Sequence, residues 1–419
     1  MRNLSKIAAA LILAVSPLIS DDLNKEEGFT TIRESIGEVM PIEHARAQFR
    51  AGYISLDRSG GTSEKSSSSA VGGHIHISSK RWRGVKAAAE LYTVQDMGLN
   101  SGDERKVEPT FFDNELSGFS TLSQAFINAL WGETEIKIGR QMLDTPHADS
   151  DDIRMMPNYF MAYTLTDRSV ERLTLAAGKI EQMAGWENGV DAKKFVNVAL
   201  SYGAAKSSDG IYYASLLYEA GEESVVQAWY YKIRDIADLV YLEAATELYA
   251  QVAHTVAAIQ FDRATGSGDK LIGNIDSSTW GVSLLTRFLD SGLSIYAAYN
   301  RENGETGAFG SLGGGPFFTS LEDQTLDAIG GKGRAWSATA IYDLTALGFE
   351  GLNASFSYGS FRADDSALYD TAETDITLSY DISERVDMTL ACAIINDKTI
   401  LNNDYIQIRL IAKYNFEAP

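Results

Sequence analysis

From residue 46 onward the chain consists of segments of about ten residues in which apolar positions alternate with polar or small ones. Clusters of Gly, Ser, Asp and Asn separate the segments. A period of two is typical of β-strands and differs from the 3.6-residue period of an amphipathic helix. In the last segment, one face would carry Ile406, Ile408, Leu410, Ala412, Tyr414 and Phe416, and the other Gln407, Arg409, Ile411, Lys413 and Asn415. One face suits lipid and the other water, so we predict an all-β protein, a transmembrane antiparallel β-barrel.

The number of strands follows from the connections between the segments. A closed antiparallel barrel with both termini on the periplasmic side has an even number of strands, short periplasmic turns and longer outer loops. Nineteen segments fit a strand, but counts from the two ends of the chain disagree by one across residues 183–210. We therefore assign segment 194–202 to an outer loop and predict eighteen strands. The barrel would span residues 46–416, with long outer loops at 95–122, 142–157, 183–209, 263–276 and 301–333.

The first twenty residues have the features of a secretory signal peptide. Arg2 and Lys6 precede an apolar stretch from Ile7 to Val15, which is too short to span a membrane. We predict a signal peptide at 1–20, whose removal takes away two positive charges and lowers the net charge from −21 to −23. Residues 21–45 would form a periplasmic arm, or alternatively a disordered leader to the first strand.

The amino-acid composition excludes several classes of protein. With 45% hydrophobic and 22% charged residues, the chain is neither disordered nor collagen-like. The formal net charge of −21 argues against nucleic acid as a partner. The single cysteine, Cys392, excludes an internal disulfide framework and Cys-rich metal sites. The 20 Tyr, 17 Phe and 6 Trp suit the aromatic girdles of a membrane barrel, although a soluble periplasmic sandwich or propeller stays an alternative.

Three stretches of the chain resemble a known family. Residues 138–146 (IGRQMLDTP) followed by 151–157 (DDIRMMP) resemble the segment around the third outer loop of the OprD family of outer-membrane porins. Residues 273–276 (GNID) and 351–360 (GLNASFSYGS) are also similar to that family, and the resemblance covers about 46 to 416. It implies an eighteen-stranded barrel and a channel for small solutes. Some members of the family prefer basic amino acids and others prefer carboxylates.

The predicted third outer loop is rich in ionisable residues. Within eleven residues it contains Asp144, His147, Asp149, Asp151, Asp152 and Arg154. Such a density of oxygen atoms could bind calcium, but the Gly and the closing Glu of an EF-hand loop are missing. A solvated loop is a second alternative. We favour a loop that folds into the barrel and narrows it, so that Asp149, Asp151, Asp152 and Arg154 line a constriction.

Basic residues on the predicted strands would face the lumen. An Arg or Lys side chain facing lipid at mid-depth costs roughly 2–4 kcal/mol, which favours placement inside the barrel. On this basis we assign to the channel lining Arg46, Arg50, Lys86, Lys137, Arg287, Arg409 and Lys413. The family resemblance leads us to expect a row of such residues opposite the loop, with Arg50 next to Arg409 and Lys413 if the barrel closes first strand to last. Scattered charges without a row are the alternative.

Other motifs in the sequence give weaker indications of a function. His74 and His76 could bind a transition metal, but we expect them to be polar lumen residues. The run Gly313-Gly314-Gly315-Pro316 lacks the ending of a phosphate-binding loop and is interpreted as a flexible outer loop. We find no Ser/His/Asp arrangement that would indicate an enzyme, and we expect no cofactor.

The sequence therefore predicts a porin in the outer membrane of a Gram-negative bacterium. It would be a passive and substrate-selective diffusion channel for amino acids or small carboxylates, with a narrow and weakly cation-preferring pore. Its partners would be outer-membrane lipid and small polar solutes, and it would be a monomer or a homotrimer. A barrel hydrolase and a plugged structural or adhesive barrel are the alternatives.

Overall fold

The computed structural model describes residues 42–59, 64–289 and 291–416. The predicted signal peptide and residues 21–41 of the predicted arm lie outside these ranges. Eighteen long strands account for most of the described chain, and their bounds are β1 Ile42–Arg58, β2 Glu64–Ser79, β3 Val85–Asp96, β4 Phe119–Trp131, β5 Thr134–Gln141, β6 Tyr159–Val170, β7 Leu173–Ala184, β8 Ile211–Glu219, β9 Ser224–Ile233, β10 Ala237–Tyr249, β11 Ala253–Gly266, β12 Asp276–Phe288, β13 Leu293–Glu302, β14 Gly333–Asp343, β15 Leu352–Ala363, β16 Asp370–Ser383, β17 Val386–Asp397 and β18 Tyr405–Phe416.

Each of these strands pairs antiparallel with the next along the chain, and β18 pairs with β1. The closing pair runs from Ala47 opposite Phe416 to Arg58 opposite Tyr405. The sheet is therefore a closed antiparallel barrel of eighteen strands, which confirms the predicted fold class and strand number.

The connections differ in length between the two ends of the barrel. At one end the turns are short, at 80–84, 132–133, 171–172, 220–223, 250–252, 289–292, 344–351 and 384–385. The long connections all lie at the other end, at 97–118, 142–158, 185–210, 267–275 and 303–332. Short turns face the periplasm in barrels of this kind, so the long loops are on the outer side.

The helices in the described part of the chain are short. The segment between β7 and β8 contains a two-residue strand, Val196–Asn197, and a single-turn helix α1, Val198–Ser201. Single turns of 3-10 helix lie at Glu104–Lys106, Pro109–Phe111, Trp186–Asn188, Leu326–Ile329 and Leu344–Leu347. Within the described ranges, no helix has the length and apolar character needed to cross a membrane.

The two faces of the strands differ as their alternation predicts. On β18, Ile406 and Phe416 are 41% and 45% exposed, whereas Gln407 and Arg409 are buried. The apolar set covers the outside of the barrel, and the polar set faces the interior. This arrangement keeps most polar side chains away from lipid and leaves an apolar outer surface.

Aromatic residues lie on the outer face near both ends of the strands. Towards the outer end, the rings of Trp280 and Tyr299 contact one another, as do those of Trp336 and Tyr358. At the periplasmic end, Tyr414 and Phe416 form an edge-on pair. Amphipathic and aromatic rings are enriched at the two interfaces of a membrane, so these pairs mark the borders of the lipid-facing band.

The long outer loops fold into the barrel and build a core there. Met155 of loop 142–158 and Phe112 of loop 97–118 pack against Ile54, Tyr92 and Tyr159 of the wall. In a second cluster, parts of loops 142–158 and 303–332 pack against strands β6 to β11. Phe112 and Met155 are 0% and 1% exposed, and full burial of such a side chain contributes roughly 1.5–3 kcal/mol. Apolar contacts therefore hold the loops inside the barrel.

Candidate functional site

Loop 142–158, which we call the constriction loop, begins with a small hairpin. Its two strands are Asp144–Thr145 and Ala148–Asp149. The Ser150 hydroxyl accepts a hydrogen bond from the Leu143 backbone N–H, and the Thr145 hydroxyl donates to the Ala148 carbonyl. These local bonds satisfy the backbone of a segment that has left the sheet, so the hairpin can project into the lumen.

A buried hydrogen bond between His147 and Asp262 attaches the hairpin to the barrel wall. His147 Nε2 lies 2.6 Å from Asp262 Oδ2 on β11, and the two side chains are 1% and 0% exposed. The ring of Tyr231 packs edge-on against the imidazole at 5.5 Å. The backbone N–H of Asp149 also donates to the Leu312 carbonyl in loop 303–332, at 2.8 Å. The hairpin is thus fixed both to the wall and to a second inward loop.

Arg50, Lys413 and Asp152 form the first ion-paired group of the constriction. Arg50 binds the Asp152 carboxylate with two hydrogen bonds of 2.5 and 2.8 Å, and Lys413 Nζ lies 2.9 Å from the same group. Arg50 and Lys413 are directly opposite one another where β1 pairs with β18. Burial favours the neutral acid, but the charges of Arg50 and Lys413 prevail and lower the pKa of Asp152 to about 2. Asp152 is therefore a firmly ionised bridge between the loop and the closing strands.

Arg409 and Glu322 form the second ion-paired group. Arg409 Nη2 of β18 lies 2.5 Å from Glu322 Oε2 of loop 303–332, and both side chains are buried. The next residue, Asp323, accepts a hydrogen bond from the Tyr405 hydroxyl, and its backbone N–H donates to Glu373 on β16. Loop 303–332 is thus attached to β16 and β18 inside the barrel. Glu322 and Asp323 were not predicted as site residues, because the acidic character of loop 303–332 is their only signal in the sequence.

Arg154 lies between these two groups with an incomplete set of partners. Its backbone carbonyl accepts a hydrogen bond from Arg50, at 3.2 Å. Arg154 is half-buried, and its Nε and Nη1 atoms are buried without an acceptor among the described residues. Burial and the nearby Arg409 lower the pKa of Arg154, against the opposing charges of acids that include Asp151. Buried donors without acceptors are costly, so this guanidinium is suited to receive an anionic group.

Asp149 and Asp151 are acids in a crowded part of the constriction. Burial, Asp144 and Glu187 raise the pKa of Asp149 to about 7. Burial, Glu187 and Asp149 also raise the pKa of Asp151, although Arg154 and Arg409 oppose the shift. Asp149 is therefore partly protonated near neutral pH, and the pKa of Asp151 is shifted in the same direction, opposite to that of Asp152.

The glycine run of loop 303–332 lies against the constriction loop. Gly313 has a φ of +98°, and a Cβ atom there would lie 2.1 Å from the Asp149 carbonyl oxygen. Only glycine allows this approach of the two backbones. The interpretation of residues 313–316 as a flexible outer loop is corrected by this packing, which places them inside the barrel.

The other predicted lining residues lie apart from the two ion-paired groups. Arg46 lies four residues before Arg50 on β1, towards the periplasmic end, and Arg287 is near the periplasmic end of β12. Lys86 is opposite Asn128, and the ammonium of Lys137 lies 4.1 Å from the centre of the Phe126 ring. Asp144 belongs to the hairpin. Of the predicted residues, the structure brings together Arg50, Asp152, Arg154, Arg409 and Lys413.

Metal binding finds no support in the described ranges. No three His, Cys, Asp or Glu side chains there are arranged to hold a metal ion. His76 instead lies 3.3 Å from Glu90, a buried acid that also accepts hydrogen bonds from Tyr159, Ser123 and Gln124. The acids of the constriction loop that we considered for calcium include Asp152, which is occupied by Arg50 and Lys413.

Comparison with known structures gives the same fold throughout the barrel. The structure of Pseudomonas aeruginosa OpdK with vanillate superposes with a TM-score of 0.73 at 18% identity, covering 90% of this chain and 99% of that chain. A BenF-like porin from Pseudomonas fluorescens Pf-5 gives 0.75 at 16% identity, with the same coverage. For Acinetobacter baumannii OccAB4 the TM-score is 0.73 at 16% identity, covering 90% and 98%. At these identities the likeness concerns the fold.

The sequence itself gives the family. None of the curated proteins compared with this sequence matches it. The model of the family described as outer membrane porin, OprD family, matches residues 43–418, which is most of the chain and includes the whole barrel. The chain therefore belongs to the OprD family of outer-membrane porins, and it is a channel of the outer membrane of a Gram-negative bacterium.

Proposed function

We propose that this porin is a substrate-selective diffusion channel for small solutes that carry a carboxylate, namely small carboxylates and amino acids. The unpartnered guanidinium of Arg154 is the observation that supports this proposal most strongly. Two of its nitrogen atoms are buried, and Arg409 is close enough to lower its pKa. A solute carboxylate would supply the acceptors that the protein does not, and it would compensate two neighbouring positive charges.

A column of basic side chains supports a path for that carboxylate. Arg409 is nearest the outer side, Arg50 and Lys413 follow at mid-depth, and Arg46 lies towards the periplasm. Asp152 compensates only part of the charge of Arg50 and Lys413, and Glu322 part of that of Arg409. An anion can therefore exchange from one cation to the next without losing its water and its counter-charge together.

Acids on the opposite loops suit the ammonium group of an amino acid. Asp323 and Asp151 both lie close enough to Arg154 to oppose the lowering of its pKa. A solute with both charges could bind the guanidinium through its carboxylate and one of these acids through its ammonium group. The proposal includes no catalysis and no cofactor.

The test compares charged and uncharged solutes of the same size. In vesicles containing the porin, permeation of a small carboxylate, its neutral amide and a small amino acid is measured by swelling. We expect the carboxylate and the amino acid to permeate faster than the amide. Arg154→Gln should reduce the carboxylate-to-amide ratio about tenfold, since a hydrogen bond to a charged group contributes about 1.5–3 kcal/mol.

Lys206→Gln is the matched control for this test. Lys206 is an exposed cation of an outer loop, paired with Asp269, and its loss removes the same charge outside the constriction. Its carboxylate-to-amide ratio should equal that of the wild type. Equal permeation of the carboxylate and the amide through the wild-type protein would refute the proposal.

A plugged barrel is the second candidate, and one observation favours it. The cavity lined by Asp152, Thr389, Arg409, Ile411 and Lys413 has a volume of only ≈ 10 Å³. A cavity of this size is at the lower limit for a single water molecule, so no solute fits in it. Single-channel recording separates the two candidates, because a plugged barrel does not conduct. A screen for hydrolysis of lipids and peptides addresses the remaining alternative, a barrel hydrolase.

A further inference from the structure

The turn between β2 and β3, at the periplasmic end of the barrel, has an unusual sequence for this acidic chain: Lys80-Arg81-Trp82-Arg83-Gly84. Trp82 and Val85 exchange two backbone hydrogen bonds, of 2.8 and 2.9 Å, so their side chains point to the same side of the sheet. Val85 belongs to the outward set of β3 that includes the exposed Leu91. Trp82 therefore faces lipid at the edge of the barrel, and it is 72% exposed.

A second tryptophan lies beside the turn. Trp131, at the end of β4, is 55% exposed, and its indole N–H donates to the Arg83 carbonyl at 3.1 Å. Gly84 permits this contact, because it has a φ of +88° and a Cβ atom there would lie 2.6 Å from Trp131 Nε1. The Arg83 guanidinium lies 5.0 Å from the centre of the Trp82 ring. The two indoles and the Arg83 side chain thus form one surface at the periplasmic rim.

Two of the three cations in this turn have no counter-charge in the protein. Arg81 is occupied, since it donates to the Gly84 carbonyl and to Asn128. In the part of the chain that the structure describes, neither Lys80 nor Arg83 forms an ion pair. Both side chains are exposed. Elsewhere on the same rim, turn 220–223 carries two glutamates instead.

We propose that Lys80, Arg83, Trp82 and Trp131 form a binding site for the phosphate headgroup of an anionic phospholipid in the periplasmic leaflet of the outer membrane. Indole rings settle at the border between headgroups and hydrocarbon, which is where Trp82 and Trp131 lie. At that depth the phosphates of the lipid are level with Lys80 and Arg83. A guanidinium stacked on a ring keeps its edge free, and it can bind a phosphate with two parallel hydrogen bonds.

The choice of an anionic lipid follows from charge. A zwitterionic headgroup brings its own cation next to the phosphate, whereas an anionic one leaves the charges of Lys80 and Arg83 to be compensated. A free phosphate ion would meet the same cations, but it would gain nothing from the two indoles. The site is separate from the constriction, so it operates whether or not the channel selects carboxylates.

The experiment measures lipid binding to the purified, folded porin by native mass spectrometry in detergent. Phosphatidylglycerol and phosphatidylcholine of equal chain length compete for the protein. We expect the wild type to retain phosphatidylglycerol preferentially. The double variant Lys80→Gln with Arg83→Gln should lose at least about fivefold of that preference, since one basic residue near an anionic surface contributes about this factor. Trp82→Leu should weaken the binding of both lipids.

Arg385→Gln is the matched control, because Arg385 is an exposed cation on periplasmic turn 384–385, a turn whose sequence contains no tryptophan. It should keep the wild-type preference. Unchanged single-channel conductance in the double variant shows that it is folded. The proposal fails if the double variant keeps the wild-type preference, if Arg385→Gln loses as much, or if inorganic phosphate displaces the lipid at equal concentration.

Discussion

Asp149 and Asp151 show at the residue scale what burial among other acids does to a carboxyl group. The pKa of Asp149 is raised to about 7, and that of Asp151 is also raised. A raised pKa means that the docked loop binds the proton more tightly than the unfolded chain does. The docked state therefore has its full stability below pH ~4 and loses some of it as the pH rises towards 7. The charge of the constriction changes over the same window.

This titration predicts a pH-dependent ion selectivity. As the pH rises from about 5 to about 8, negative charge appears in the constriction, so the reversal potential under a salt gradient should shift towards cation preference. Asp149→Asn should flatten this dependence. Asp209→Asn should keep it, because Asp209 is an exposed acid of an outer loop that is paired with Lys179. A wild-type reversal potential that stays constant over this range would show that these acids do not act on the permeating ions.

Some residues of the site can be predicted from the sequence, and others cannot. Arg50, Arg409 and Lys413 follow from the alternation of their own strands and from closure of the barrel, which are local patterns and a simple topological rule. Glu322 does not follow, because its contact with Arg409 joins residues 87 positions apart through a loop without periodicity. The same holds for Asp262, whose partner His147 lies 115 residues away. Loop contacts of this kind depend on packing inside the finished barrel.

At the scale of one element, β18 shows how the depth of a residue sets the effect of a charge. Leu410 faces outward near the middle of the strand, and Phe416 faces outward at its periplasmic end. Leu410→Arg should destabilise the folded barrel by about 2–4 kcal/mol, whereas Phe416→Arg should cost only about 0–1 kcal/mol near the interface. Urea titration of the protein in vesicles, followed by the mobility shift of folded barrels in gels, measures both. Equal destabilisation by the two variants would contradict the assigned depths.

The elements themselves were largely predictable, and the loops were not. A period of two over ten residues predicts a strand with few alternatives. Counting strands from the two ends of the chain gave results that differ by one, and this difference correctly assigned segment 194–202 to a loop. Residues 303–332 carry glycines and acids that are equally typical of a solvated loop. Their inward fold rests on buried residues such as Phe317 and Phe318, which have no periodic pattern around them. The sequence around these residues therefore contains no local pattern that predicts the inward fold of loop 303–332.

The whole molecule has a topology that can be tested from outside the cell. We expect a cysteine at Glu305, an exposed position of loop 303–332, to react on intact cells with a maleimide linked to a polymer too large for a porin. A cysteine at Glu222, exposed on turn 220–223, should react only after the outer membrane is permeabilised. Both are introduced with Cys392→Ser, which removes the single native thiol. Labelling of both positions on intact cells would reverse or refute the orientation.

Pairing of β1 with β18 also determines when the cluster of Asp152, Arg50 and Lys413 can form during folding. Asp152 meets Arg50 from 102 residues away and Lys413 from 261 residues away, and the two cations become neighbours only when the first and last strands join. Contacts so distant along the chain form late and slowly in folding. An open, partly inserted barrel therefore lacks the neighbouring cations Arg50 and Lys413 on either side of Asp152. The pairing of β1 with β18 closes the barrel wall and also completes the cluster of Arg50, Lys413 and Asp152. The pore therefore obtains this cluster only when the barrel is closed.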